Sequence, residues 1–188
     1  TQLVPRKRRL AQGLFTWIGS GRLQLELRLV IDQLSSVMTL IITGVGFLIH
    51  LYSSAYMAHD RSIHRYFAYL NLFVFSMLLL VMGASLPIMF VGWEGVGLCS
   101  YLLIGFWFDK EANAAAGRKA FLVNRVGDFG FLLGMFLIWY MLGTLDFMRL
   151  DHMLGVQKLP LDPTMVAAAT LLLFVGATGK SAQIPLYV

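Results

Sequence analysis

One stretch constrains this chain more than any other. IMFVGWEGVGLCSYLLIGFWF, Ile88 to Phe108, holds twenty-one residues and a single charge, Glu94. Coiled as a helix it reaches about 30 Å, the hydrocarbon thickness of a bilayer. A carboxylate at that depth costs about 2.5–3.5 kcal/mol on insertion scales, so it needs a partner or a task. Composition agrees: 58% of the 188 residues are hydrophobic and only 13% charged, where soluble domains carry about 25% charge. The chain reads as an all-α membrane protein.

Other apolar runs extend the pattern. LSSVMTLIITGVGFLIHLYSSAYM predicts a first spanning helix over 34–57, with Asp32 placed to cap it. Tyr66 to Trp93 carries no charge and, joined to the stretch ending at Phe108, is too long for one crossing. Gly83, Ser85 and Pro87 supply the turn, giving helices over about 66–84 and 86–108. A polar, Ala-rich loop at 109–117 precedes a fourth helix over about 118–142. A polar loop from Gly143 to Asp162 then leads to Pro163, a favoured first helical position, and a fifth helix over about 164–185. Residues 1–31 read as a basic, interfacial segment, with Arg6 to Arg9 suited to a lipid headgroup surface. No apolar core follows that run, so it lacks the order of a signal peptide. Leu23, Leu25, Leu27 and Leu29 alternate with polar residues, a short strand pattern. Loop Lys and Arg count five (Arg61, Arg65, Lys110, Arg118, Lys119) against four (Arg22, Arg28, Arg149, Lys158), which leans the 58–65 and 109–118 loops towards the cytoplasm or matrix.

Four ionisable residues fall at membrane depth: Glu94, Arg125, Asp128 and Lys180. Arg125 and Asp128 are three apart, so they share a helix face and can pair. That pair is open to two readings, a structural ion pair or part of a charge pathway. Glu94 and Lys180 have no opposite charge three or four residues away, so each must look to another helix. Lys180 also sits among Gly176, Gly179 and Pro185, the pattern of a discontinuous transporter helix whose broken turn lines a wet cavity. The alternative is a helix end with a snorkelling lysine. By helix rise, Asp128 falls between Glu94 and Lys180 in level, which predicts a staggered proton relay whose two ends are direct partners or joined through water. His50 is a candidate relay residue, set against a packing histidine.

Several chemistries are excluded. One cysteine, Cys99, permits neither an intramolecular disulfide nor a Cys-based metal or iron–sulfur site. No catalytic, cofactor-binding or metal motif is found, and the basic run lacks the aromatic interleaving of a nucleic-acid site. GATGKS lacks the gap of a phosphate-binding loop, and Asp128-Phe129-Gly130 spells a kinase triplet without its surroundings. Gly130 and Gly134 form a GxxxG step suited to close helix contact.

GVGFLIHLYSSAYMAHD, FAYLNLFVFSMLLLV, GWEGVGLCSYLLIGFWF, KAFLVNRVGDFGFLLG and LLFVGATGKSAQIPL together resemble the antiporter-like membrane subunit of respiratory complex I, NADH:quinone oxidoreductase, subunit L or chain 5. The resemblance covers about residues 30–188. It implies a proton-translocating subunit of the antiporter-like inverted-repeat fold, each repeat of five helices containing a broken one. Glu94 matches that family's glutamate in its fifth helix, Arg125 and Asp128 the charged pair of its sixth, and Lys180 the lysine of its broken seventh. The chain would then run from the third helix to the start of the broken seventh, a partial chain without the first two helices and the second repeat.

The resemblance implies that Glu94 passes the coupling charge, Lys180 switches, and Arg125 with Asp128 bias the switch. NADH, FMN, iron–sulfur clusters and quinone are then expected in other subunits of the complex, with its other membrane-arm subunits and the lipid bilayer as partners. The setting would be an energy-transducing membrane, the bacterial plasma membrane or the mitochondrial inner membrane. The alternatives are the large subunit of a multi-subunit Na⁺/H⁺ antiporter, the equivalent subunit of a photosynthetic NDH complex, and a membrane scaffold with structural ion pairs.

Overall fold

The computed structural model describes residues 9–21, 23–157 and 160–187. Arg6, Lys7, Arg8, Arg22 and Lys158 lie outside them. The chain opens with an antiparallel hairpin, β1 (Leu10–Ser20) and β2 (Leu23–Ile31), turned at Gly21 in the left-handed region. Helices follow: α1 (Gln33–Tyr56), α2 (Ile63–Met82), α3 (Leu86–Ile104), α4 (Glu111–Leu142), a short α5 (Phe147–Gly155) and α6 (Pro163–Lys180). Among the described residues, α1, α2, α3, α4 and α6 are the helices long and apolar enough to span a membrane. This is a multi-pass, largely helical membrane protein.

The leucine-alternating stretch is β2. Its partner β1 has no such alternation, because register irregularities between Gly13 and Phe15 and between Thr16 and Ile18 interrupt the two-residue period. Asp32 caps α1 as expected, accepting from the Ser35 amide at 2.9 Å while Ser35 Oγ accepts from the Asp32 amide at 2.7 Å. α1 then meets α2 through Ser53 and Tyr66, whose hydroxyls lie 3.1 Å apart.

Three expected boundaries are corrected. The 109–117 segment is helical from Glu111, so α4 starts about two turns before 118. Glu-Ala-Asn-Ala-Ala-Ala is polar yet strongly helix-forming, and polarity there marks departure from lipid, not from the helix. α3 stops at Ile104 instead of 108, its end capped by Gly105. α6 stops at Lys180 instead of 185. Pro185 cannot donate to the Ser181 carbonyl, and Ala182 adopts φ 48°, which turns the chain out of the helix. A fourth difference is α5, placed within the expected loop from Gly143 to Asp162; Asp146 nucleates it by accepting from the amides of Met148 and Arg149, each at 3.0 Å.

The link 83–85 is a hub. Its backbone pairs with the hairpin through Ala84 N to Arg28 O (3.0 Å), and Ala84 O accepts from Phe147 N of α5 (3.0 Å). Leu86 N donates to Leu145 O, so α2, α3, α5 and β2 converge at one end of the bundle. Leu86, Phe131, Met135 and Leu145 form the buried cluster beside it.

Close helix approach depends on small residues. A Cβ placed on Gly92 of α3 would stand 2.7 Å from both Leu80 Cα and Ser76 O of α2. Between α4 and α6, a Cβ on Gly127 would meet Gly179 Cα at 3.0 Å and one on Gly176 would meet Phe131 Cβ at 2.8 Å. Gly130 and Gly134 lie in the same contact, against Val175 and Leu173. At the opposite end from the hub, Arg65 donates to Phe106 O (3.1 Å) with its guanidinium over the Phe106 and Phe108 rings. Trp107 Nε1 donates to Asp60 Oδ2 at 2.8 Å, completing a clasp between the α1–α2 loop and the end of α3.

Two expectations follow from this packing. Gly92→Ala should overpack the α2–α3 contact against main chain and cost about 1–3 kcal/mol, read as a lowered melting temperature of the detergent-solubilised subunit. Hydrogen bonds from Trp107 and the Ser62 amide hold the Asp60 carboxyl below the usual carboxylate range. A lowered folded value means the clasp is complete above the unfolded value of about 4 and is lost as pH falls through the folded one. Trp107 fluorescence should therefore change below about pH 4 and show no such step in Asp60→Asn.

Candidate functional site

Three helices bring the four intramembrane charges into one line. Glu94 projects from α3, Arg125 and Asp128 from α4, and Lys180 from the last residue of α6. Arg125 Nη1 is in direct contact with Glu94 Oε2. The same Nη1 lies 3.8 Å from Asp128 Oδ2, and Asp128 Oδ1 lies 3.9 Å from Lys180 Nζ. The order is carboxylate, guanidinium, carboxylate, ammonium, so every like-charge neighbour is separated by an opposite charge.

The Arg125–Asp128 pair expected from their spacing exists, but it is the looser of Arg125's two contacts. Glu94 finds its partner on another helix, as its isolation requires, and that partner is Arg125. Glu94 and Lys180 are not paired: among the described residues, the route between them passes through Arg125 and Asp128. The staggered arrangement has a simple cause. Arg125 has a long side chain and stacks its guanidinium on Phe121 at 4.5 Å, which carries it across to α3. Asp128 is short and stays at the α4 surface facing α6.

Asp128 is the deepest member, with its side chain 4% exposed. Neither cation reaches it at hydrogen-bond distance. Its hydrogen bond comes from Trp93, whose indole Nε1–H donates to Oδ1 at 2.7 Å. Trp93 was not among the residues singled out from sequence, although an indole N–H deep in an apolar helix always wants an acceptor. Among the described residues Lys180 Nζ is buried without a hydrogen-bond partner, and it lies 5.8 Å from the centre of the Trp93 ring. Gly97, one turn beyond Trp93, leaves room for it: a Cβ there would stand 2.6 Å from Nζ.

Lys180 opens onto a cavity of about 290 Å³ between α2, α3, α4 and α6. Ser100 and Asn124 line it with polar groups, and Phe73, Met77 and Leu80 with apolar ones. That volume and those polar atoms suit several waters. α6 ends at Lys180, so the broken turn expected there adjoins the cavity wall. His50 stands apart: its ring N–H donates to Gly46 O at 2.7 Å, its other nitrogen is buried with no partner among the described residues, and its ring faces Phe67 of α2. No group of three or more His, Cys, Asp or Glu able to hold a metal occurs among the described residues.

The family model described as NADH:quinone oxidoreductase/Mrp antiporter, transmembrane, matches residues 83–188, the segment that carries all four charges. The chain belongs to that family. A second model, the N-terminus of complex I chain 5, matches residues 17–67. The chain is 50% identical over 180 residues to NADH-quinone oxidoreductase subunit L of Mycobacterium tuberculosis, covering 96% of this chain and 28% of that protein. It is 47% identical to the Escherichia coli subunit L, covering 94% and 28%. NAD(P)H-quinone oxidoreductase chain 5 of Synechocystis is 45% identical, covering 92% and 26%. Among solved structures, the Mrp complex from a Dietzia species superposes with TM-score 0.83 at 28% identity, over 96% of this chain and 19% of that one. The chain thus spans about a quarter of the length of the relatives it matches.

The alternating line of charges predicts a stability pattern of its own. Arg125→Gln leaves Glu94 unpaired and should lower unfolding stability by about 2 kcal/mol, less than a fully buried pair would lose because Arg125 is 39% exposed. Glu94→Gln combined with Arg125→Gln should recover part of that loss in a detergent melt.

Proposed function

We propose that this chain is part of a proton-translocating membrane-arm subunit of an NADH:quinone oxidoreductase, with Glu94, Arg125, Asp128 and Lys180 as its charge relay. The observation that carries the reading is the line of opposite charges from α3 through α4 to α6, ending on a lysine beside a cavity that Ser100 and Asn124 share with apolar side chains. Identities of 45–50% to proteins named as subunits of such oxidoreductases support it.

The relay works by exchange of partners. Protonation of Glu94 removes the charge that holds Arg125, and the guanidinium then turns to Asp128 on its own helix. Asp128, with a full cation beside it, releases its hold on Lys180. The ammonium, no longer neutralised at depth, passes its proton from Nζ to water in the cavity. Deprotonation of Glu94 reverses each move. His50, on α1, is an accessory relay group at most, since its hydrogen bond is local.

Redox chemistry falls to partner subunits holding NADH, FMN, iron–sulfur clusters and quinone, and this chain holds no cofactor. Residues 32–188 act as the membrane domain, and residues 1–31 as an interfacial segment. The host is an energy-transducing membrane, bacterial or mitochondrial. A second reading has its own support: the likeness to the Mrp complex favours the large subunit of a multi-subunit Na⁺/H⁺ antiporter. Identity to NAD(P)H-quinone oxidoreductase chain 5 supports a photosynthetic NDH complex as a further alternative.

Glu94→Gln and Lys180→Met, each introduced into the full-length subunit within its assembled complex, should slow proton transfer about a hundredfold. Proton uptake by reconstituted vesicles per NADH oxidised reads the effect. Unchanged uptake in both would leave a structural scaffold as the answer, and transport that depends on sodium would favour the antiporter.

A further inference from the structure

We propose that Trp93 is a positioning residue for the relay, holding Asp128 off both of its cations so that neither ion pair closes. This inference rests on the relay reading above. Asp128 stands between Arg125 at 3.8 Å and Lys180 at 3.9 Å, nearly midway, and neither contact is a hydrogen bond. Among the described residues, the one hydrogen bond to its side chain is the indole N–H of Trp93, on Oδ1 at 2.7 Å. That is the oxygen facing Lys180.

The indole is itself held in place. Its ring packs on Phe131 at 5.3 Å, and Phe131 stacks on Phe90 at 5.3 Å. Phe131 is 4% exposed, so this aromatic ladder between α3 and α4 has little room to move. Gly97 keeps the space beside Lys180 open on the same helix. Trp93 therefore sets where the carboxylate points, from a fixed ring, through one directional bond.

The consequence for transport is electrostatic. In a medium of low dielectric, a carboxylate and an ammonium in contact form a deep well that every turnover would have to climb out of. Held just short of contact, Asp128 attracts both cations but captures neither, and a small change at Glu94 tips the balance. Without the indole N–H, Oδ1 is free to accept from Lys180, and the direct pair traps the lysine.

The test uses the full-length subunit in its assembled complex. Trp93 is replaced by benzothienylalanine, in which sulfur stands where the indole N–H stands, so shape and ring packing are kept and only the hydrogen bond is lost. Trp93→Phe, Asp128→Asn and their double variant accompany it. Proton translocation per NADH oxidised should fall about tenfold for the sulfur isostere, as expected for a hydrogen bond to a charged group. The double variant should translocate no more slowly than Asp128→Asn alone, because Trp93 acts through that carboxylate. The inference is overturned if the isostere works at the parent rate, or if the losses in the double variant multiply. A failure of Trp93→Phe to assemble leaves the isostere to decide. If Asp128→Asn and Glu94→Gln also translocate at the parent rate, the relay itself has failed, and not merely the role of Trp93.

Discussion

A charge in hydrocarbon must be neutralised by a neighbour, and most of what is specific to this bundle answers that demand. Glu94 has nothing on its own helix to meet it, so α4 must approach closely enough for Arg125 to cross over. Asp128, buried one turn further along the same face of α4, in turn fixes where Lys180 arrives on α6. Three helices are thereby held by two carboxylates and two cations whose signs alternate. Removing any one leaves a neighbour stranded, so the four act as a unit and not as two independent pairs.

Much of this was legible in the sequence, for an identifiable reason. Spanning helices announce themselves by length and apolarity, and lone charges inside them stand out against that background. Which charge meets which was less visible. The three-residue spacing of Arg125 and Asp128 pointed to each other, while the reach of an arginine to the next helix depends on a crossing angle and a rotamer that spacing does not encode. The extra turns of α4 and the whole of α5 were hidden for related reasons: the first are polar, the second is a short amphipathic helix inside a polar stretch, and charge near a membrane reads as loop. Trp93 was hidden by its company, because one more aromatic residue in an apolar run looks like packing until its N–H is asked for a partner.

The family likeness has a matching logic. Proteins named for NADH-quinone and NAD(P)H-quinone oxidoreduction are identical to this chain at nearly half of the aligned positions, and the Mrp complex shares its fold at 28% identity. A scaffold that stages opposite charges across three helices is indifferent to what drives it. One fold can serve systems of different composition, so sequences diverge while the arrangement of helices stays put.

The glycines between α4 and α6 carry one last consequence. Because Gly127 and Gly179 meet nearly backbone to backbone, no side-chain rotamer intervenes between the two helices at that level. The main chains that carry Asp128 and Lys180 therefore stand as near to each other as peptides can, and whatever adjustment the pair makes is left to the side chains. A substitution that added even one methyl group at Gly127 or Gly179 would push the two helices apart and move the carboxylate away from the ammonium with them.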